Sequence, residues 1–243
     1  MKKRVGIIVQ ARVGSSRLPY KMIYNLCGRE VIFRIIERLT RVKEIDELIL
    51  AIPKTKNDQI FRKIKFPEKV KIFCGSENNL VERYYKAAKK HNIQTIVRIP
   101  GDNCMPEPRE IERIVEFYKK KKKKCFVTNL SQIFNNGYPD GIGAEVFDVK
   151  FLKDILRNKM ISKQKLEHIH LNFVNYKKSY AVNPHWCQVY TIKCPKRISY
   201  PAIKLDINTL KDYKYIKKIY DSLYRKNKNF KINDIINFLK NNN

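Results

Sequence analysis

The sequence lacks any long hydrophobic run. Nothing in its 243 residues approaches the ~18 consecutive apolar residues that a membrane span needs. A basic flank, Lys2-Lys3-Arg4, precedes an apolar stretch from Val5 to Val9, but Gln10 and Arg12 cut that stretch short. It reads as a first β-strand rather than a signal peptide, and a cytoplasmic protein is expected. Paired cysteines are also missing. Cys27, Cys74, Cys104, Cys125, Cys187 and Cys194 include no C-x-x-C pair, which argues against a disulfide framework or a structural zinc site. Acidic residues are scarce: 23 Asp plus Glu stand against 52 Lys plus Arg, a formal net charge of +29. Such a balance attracts polyanions, RNA and phosphorylated substrates alike. No RNP, KH or zinc-knuckle pattern accompanies it, and the lysines are dispersed rather than interleaved with aromatics, so solvated helix faces explain the charge better than a nucleic-acid tract. The run Lys119 to Lys124, for example, closes an apolar-periodic segment, where cations suit a helix C-terminus.

What is present is a globular pattern, with 43% hydrophobic residues. The first half alternates short apolar strands with amphipathic helices, which predicts a parallel sheet covered on both faces. Strands are expected at Val5 to Gln10, Glu47 to Ile52, Val70 to Phe73 and Thr95 to Ile99. Val31, Ile35, Leu39 and Val42 mark one helical face, and Leu80, Val81, Tyr84, Tyr85 and Ala88 another, with a shorter helix near Asp58 to Lys65. A helix marked by Ile111, Ile114, Val115 and Tyr118 leads to a strand at Cys125 to Thr128 and a Gly- and Asn-rich turn at Asn135 to Gly143. Beyond it, strands are expected at Ala144 to Phe147, Trp186 to Ile192 and Ile203 to Ile207. Helices are expected at Phe151 to Arg157, Lys165 to Tyr176, Leu210 to Arg225 and Ile232 to Leu239. With no internal repeat and no linker, one domain spanning 1–243 is preferred.

Directly after the first strand comes Gln10-Ala11-Arg12-Val13-Gly14-Ser15-Ser16-Arg17-Leu18-Pro19-Tyr20-Lys21. Loops at strand C-termini form the ligand crevice of an open parallel sheet. One glycine, two serines, two arginines and a lysine suit a triphosphate, yet they suit an ordinary basic surface turn equally. Neither G-x-x-x-x-G-K-[ST] nor G-x-G-x-x-G is present.

The segment Ile8 to Lys21 resembles the opening motif of the cytidylyltransferase family that includes CMP-3-deoxy-manno-octulosonate synthetase and the SpsF-type spore-coat polysaccharide proteins. Gly75-Ser76-Glu77 through Arg83-Tyr84-Tyr85, Arg98-Ile99-Pro100-Gly101-Asp102, Tyr138-Pro139-Asp140-Gly141 and Glu145-Val146-Phe147 are similar to further motifs of that family, in its order. The resemblance implies a Rossmann-like nucleotide-diphosphosugar-transferase α/β fold, its mostly parallel sheet flanked by helices, with a small acceptor and dimerisation subregion. Residues 1–130 would form the nucleotide-binding half, and 131–243 the acceptor-binding and C-terminal helical half. It implies transfer of CMP from CTP to a sugar acid, sugar phosphate or similar acidic acceptor for surface glycan synthesis, with Mg²⁺ and release of pyrophosphate. Arg12, Lys21 and Asp102 would be catalytic. Gln10, Ala11, Arg12, Gly14, Ser15, Ser16, Arg17 and Lys21 would bind the nucleotide, together with Gly75, Ser76, Arg83, Arg98 and Gly101. Asp102 and Asp206 would hold the metal, and Asp140, Glu145 and His168 would border the acceptor.

Each aspartate also suits a helix cap or turn. Ser76 is placed to cap the helix that follows it, and His168 and His170, two residues apart, fall on different faces of an expected helix. Three positions depart from the family: Tyr20 stands for its usual glycine, Pro100 for a residue often polar, and Gly143-Ala144 for Asp-Val. A GTP- or UTP-dependent sugar-1-phosphate transferase and an RNA-binding protein on a degenerate transferase fold are the alternatives. A homodimer is implied by the resemblance alone.

Overall fold

The computed structural model describes residues 3–121, 125–130 and 133–242. In chain order the strands are β1 (Val5–Gln10), β2 (Asn25–Leu26), β3 (Arg29–Glu30), β4 (Glu47–Pro53), β5 (Val70–Gly75), β6 (Thr95–Ile99), β7 (Cys125–Thr128), β8 (Glu145–Asp148), β9 (Val174–Asn175), β10 (Tyr180–Ala181) and β11 (Gln188–Tyr190). The α-helices are α1 (Val31–Leu39), α2 (Leu80–Lys90), α3 (Pro108–Lys119), α4 (Val149–Arg157), α5 (Lys163–Glu167), α6 (Leu210–Leu223) and α7 (Ile232–Lys240). Seven strands form one sheet in the order β11-β7-β8-β6-β1-β4-β5, and β2 with β3 and β9 with β10 form two small ribbons.

Strand β1 lies inside the sheet, parallel to β4 on one side and β6 on the other. Its alternate residues point to opposite faces. Val5, Ile7 and Val9 enter the core beneath α1, α3, α6 and α7, while Ile8 enters a second core with Leu80, Tyr84 and Ala88 of α2 and Phe151 and Leu152 of α4. Burial on both faces accounts for the unbroken apolar run that marked this strand in the sequence.

Strand β8 breaks the pattern. It runs antiparallel to both β6 and β7, so its first residue, Glu145, lies at the edge where β1 and β6 end. Arg98 is its register partner on β6, and Thr128 its partner on β7.

Several expected elements take another form. The helix expected from Lys165 to Tyr176 ends at Glu167, because His168 leaves helical geometry at φ −126 and ψ 89. A 3-10 turn, Ile169–Asn172, and β9 follow it. Ile169, Phe173 and Val174 are all buried in the second core, and this packing overrides helical continuation. The expected strand from Ile203 to Ile207 makes only two isolated bridges, Lys204 to Asp140 and Asp206 to Asn103. The segment near Asp58 is a 3-10 helix, Asn57–Lys63. Of the run Lys119 to Lys124, Lys119 ends α3, and residues 122–124 lie outside the described residues. Among the described residues, no helix is long and apolar enough to cross a membrane.

The segment 203–207 crosses the turn at 140–141, with Asp140 N–H donating to Ile203 O at 2.9 Å and Leu205 N–H to Asp140 O at 3.1 Å. At the crossing, Gly141 has φ +82, and an added Cβ would stand 2.3 Å from Leu205 O. Gly141→Ala is therefore expected to lower stability by at least about 1–2 kcal/mol, read as a reduced urea midpoint at unchanged slope.

Candidate active site

A cavity of about 350 Å³ opens at the C-terminal edge of β1 and β6. The loop after β1 forms one wall and is pinned from beneath. Buried Val13 donates its N–H to Asp58 Oδ1 at 2.8 Å, and Ser15 and Tyr20 each donate a backbone N–H to Val13 O. Val13 and Leu18 bury their side chains, so Arg12, Ser15, Ser16 and Arg17 are left on the cavity. Among the described residues, the side chains of Arg12, Ser16 and Arg17 have no hydrogen-bond or ion-pair partner. Their charge and donors are thus available to a ligand.

Lys21 is only 9% exposed. Its Nζ donates to Ile207 O at 2.5 Å and lies 3.9 Å from Asp102 Oδ2. Asp102 follows β6 by way of Pro100 and Gly101, all three facing the cavity. A Cβ on Gly101 would stand 2.1 Å from Gln10 O, so only glycine lets this strand end lie against the end of β1. The second aspartate is adjacent: Ile207 N–H donates to Asp102 O at 3.1 Å, and Asp206 bridges Asn103. Burial, Asp140 and then Asp102 push the Asp206 carboxyl up to about 6. Carboxylates crowded in this way without a cationic partner on Asp206 are the hard oxygen donors that suit Mg²⁺. Among the described residues no three His, Cys, Asp or Glu side chains form a complete metal cage.

The cavity floor is a buried polar network. Arg98 donates to Glu145 Oε2 at 2.6 Å, and Tyr176 donates to Glu145 Oε1 at 2.8 Å. Burial by itself would lower the Arg98 pKa, but the Glu145 carboxylate outweighs it and keeps the guanidinium charged. Arg98 Nε and the Tyr84 hydroxyl both donate to Gln10 Oε1, at 3.3 and 3.1 Å. This fixes the Gln10 amide by its acceptor and leaves the NH₂ end for the cavity. His170 is pushed down to about 4, first by burial and further by Arg98 and His168, so it is neutral at pH 7.

The cavity thus gathers Gln10, Ala11, Arg12, Ser15, Ser16, Arg17 and Lys21 with Arg83, Arg98, Gly101, Asp102, Glu145 and His168. Other expected residues stand outside its lining. Gly14 is exposed, and a Cβ there would meet nothing. Gly75 packs against Arg83 and Phe73. Ser76 accepts the Asn79 N–H, and it is Asn79 that caps α2. Arg83 bolts this turn by donating to Ser76 O at 2.7 Å and Glu77 O at 2.9 Å. Asp140 and Asp206 are not part of the lining, and both oxygens of Glu145 are already engaged by Arg98 and Tyr176. His168 and His170 are not on opposite faces of a helix; the chain breaks between helices at His168, and both rings line the cavity, 6.0 Å apart. Glu167, His170 and Tyr176 complete this side. Sequence reasoning missed Tyr176, because no local motif marks a tyrosine whose partner is 31 positions away.

The departures find physical reasons. Tyr20 has φ 59 and ψ 10, a left-handed geometry that explains glycine at this place in the motif. Gly143 lies against Asn129, where a Cβ would stand 2.6 Å from its carbonyl oxygen, and Ala144 N–H donates to Asn129 Oδ1. Neither Tyr20 nor Gly143-Ala144 lines the cavity, whereas Pro100 does.

The sheet order, the reversed β8 and the basic loop after β1 define a Rossmann-like nucleotidyltransferase fold. The cytidylyltransferase family model matches residues 6–235, and the chain belongs to that family. It is 30% identical over 243 residues to an uncharacterized protein of Methanocaldococcus jannaschii, covering 99% of this chain and 91% of that one. It is 27% identical over 218 residues to the spore coat polysaccharide biosynthesis protein SpsF of Bacillus subtilis, covering 88% and 85% of the two chains. A solved cytidylyltransferase from Leptospira borgpetersenii superposes with a TM-score of 0.85 at 26% identity, covering 99% of this chain and 95% of that one.

Two outcomes test the local physics. Tyr20→Gly is expected to stabilise the protein by roughly 1 kcal/mol through relief of left-handed strain, seen as a higher urea midpoint. The raised Asp206 pKa means that the folded state holds this proton more tightly than the unfolded chain. That stabilisation is complete below about pH 4 and is lost as pH rises through about 6. Asp206→Asn should therefore be about 1–2 kcal/mol more stable than the parent at pH 8, allowing for solvent screening. At pH 3.5 the two should unfold alike, and equal stability at both pH values would contradict the assigned environment.

Proposed function

We propose that this protein transfers the cytidylyl group of CTP to an anionic oxygen of a sugar acid, sugar phosphate or similar acidic acceptor, releasing pyrophosphate. The observation that carries the reading is one cavity lined by both signs of charge. Uncommitted Arg12 and Arg17 line it together with Asp102, which stands 3.9 Å from Lys21 Nζ and feels the Asp206 carboxyl nearby. The arginines suit the β- and γ-phosphates, and the aspartates would hold a divalent cation.

In this reaction the acceptor oxygen forms a bond to the α-phosphorus while the bond from that phosphorus to the α,β-bridging oxygen breaks. Negative charge moves onto the departing pyrophosphate. Arg12, Arg17 and Lys21 supply positive charge toward it, and the Lys21 ammonium, already held by the Ile207 carbonyl and Asp102, needs no reorganisation during the step. Mg²⁺, held by Asp102 and Asp206, would add Lewis-acid polarisation of the phosphate. The Gln10 NH₂ and the neutral His170 offer donors to neutral parts of the ligands. An acidic acceptor brings its own nucleophilic oxygen, so no strong protein base is required. The SpsF relative is named for spore coat polysaccharide biosynthesis, and a place in surface glycan assembly belongs to the same reading.

Pyrophosphate release should be measured with Mg²⁺, each of the four nucleoside triphosphates, and mixed sugar-acid and sugar-phosphate acceptors. Release is expected with CTP and at most weakly with GTP, UTP or ATP. Asp102→Ala should lose turnover by about 10³-fold or more with its thermal midpoint little changed. Equal turnover with GTP or UTP would replace CTP in the reading, and full activity of Asp102→Ala would remove that residue from it.

A further inference from the structure

A second concavity shares no lining residue with the first. It encloses about 540 Å³ where the chain leaving α1, the starts of α3 and α7, and the turn Lys196–Ile198 meet. Arg41, Lys43, Arg109 and Arg197 line it together with Glu107, Glu110 and Glu112. Each carboxylate is already engaged. Glu107 accepts from Arg38 at 3.4 Å and from the Ile232 N–H at 2.9 Å. Glu110 accepts from Arg113 and, at 2.6 Å, from the Tyr138 hydroxyl. Glu112 accepts the Lys43 backbone N–H at 2.8 Å.

The basic side chains are not engaged. Among the described residues, none of the four makes a side-chain hydrogen bond or ion pair. Exposed lysines elsewhere on this highly charged protein are solvated and need no partner, but Arg41 differs from them. Its Nε is cut off from solvent and still has no acceptor. Burial, with Arg38 nearby, lowers the Arg41 pKa, so the guanidinium sits in an environment that disfavours its charge. A buried N–H without an acceptor is costly, and a turn of the side chain toward the hollow would let an oxygen from outside the chain remove that cost. The planar, forked donors of three arginines around one hollow match the oxygens of a phosphate group.

We propose that this concavity is a second anion site, taking a phosphate-bearing small molecule on Arg41, Arg109 and Arg197. The full chain should be titrated calorimetrically with inorganic pyrophosphate and, separately, with orthophosphate, which distinguishes a diphosphate from a single phosphate as the preferred ligand. Two classes of site are expected with at least one of the two ions. R109A/R197A should weaken one class by roughly tenfold or more and leave the other in place. R12A/R17A should do the reverse. The R109A/R197A arm reads this site whether or not the other cavity holds a nucleotide. Arg41→Met should raise the thermal midpoint without ligand and lose the anion-dependent rise that belongs to this site. Titrations in which R109A/R197A binds both ions as the parent does would overturn the proposal, as would an Arg41→Met protein that keeps the full anion-dependent rise.

Discussion

One buried ammonium ties the site together. Lys21 leaves the loop after β1, donates to the carbonyl of Ile207, 186 positions further along, and stands beside Asp102 at the end of β6. These three segments have no covalent reason to meet. A charge taken out of water needs both an acceptor and an opposite charge nearby, and here the two come from different parts of the chain. The contact therefore sets the spacing between the basic wall and the carboxylates. Gly101 makes it possible, since any side chain there would push the strand end away from the Gln10 carbonyl.

Around this junction, groups that are already satisfied hold those that are not. Asp58 fixes the loop backbone, Arg83 fixes the turn after β5, and Glu145 fixes Arg98 and Tyr176. Among the described residues, the side chains of Arg12, Ser16 and Arg17 remain without hydrogen-bond or ion-pair partners. The committed frame fixes where these side chains start, and the exposed arginines give up their rotamer freedom only when a ligand arrives.

The frame was open to sequence reasoning where local pattern decides it. β1 and β6 have the expected limits, α2 and α3 contain their expected apolar faces, and α1 contains its own except Val42, because strands and helices buried in this way carry uninterrupted or 3.6-periodic apolar residues. The loop from Gln10 to Lys21 was found because it follows a strand and concentrates charge. What escaped depends on distant partners. The direction of β8 is not written in its four residues, yet it decides that Glu145 faces the cavity. The helix expected up to Tyr176 fails at His168, where docking of Phe173 and Val174 into the second core outweighs local propensity. Segment 203–207 has the alternation of a strand but meets only a crossing turn, so it forms bridges rather than a ladder. Ser76 had the residue type and approximate position of a helix cap, but Asn79 lies closer to the first turn and takes that role.

The reversal of β8 has a consequence for how the family can vary. A strand laid against its neighbours' direction delivers its beginning, not its end, to the ligand edge. Asp148 then emerges at the opposite rim, where it caps α4 and pairs with Lys3. Residues added just ahead of Glu145 would accumulate at the cavity mouth, whereas residues added just after Asp148 would extend the remote side. Changes of length before this strand can thus remodel what enters, while changes after it leave the opening as it was.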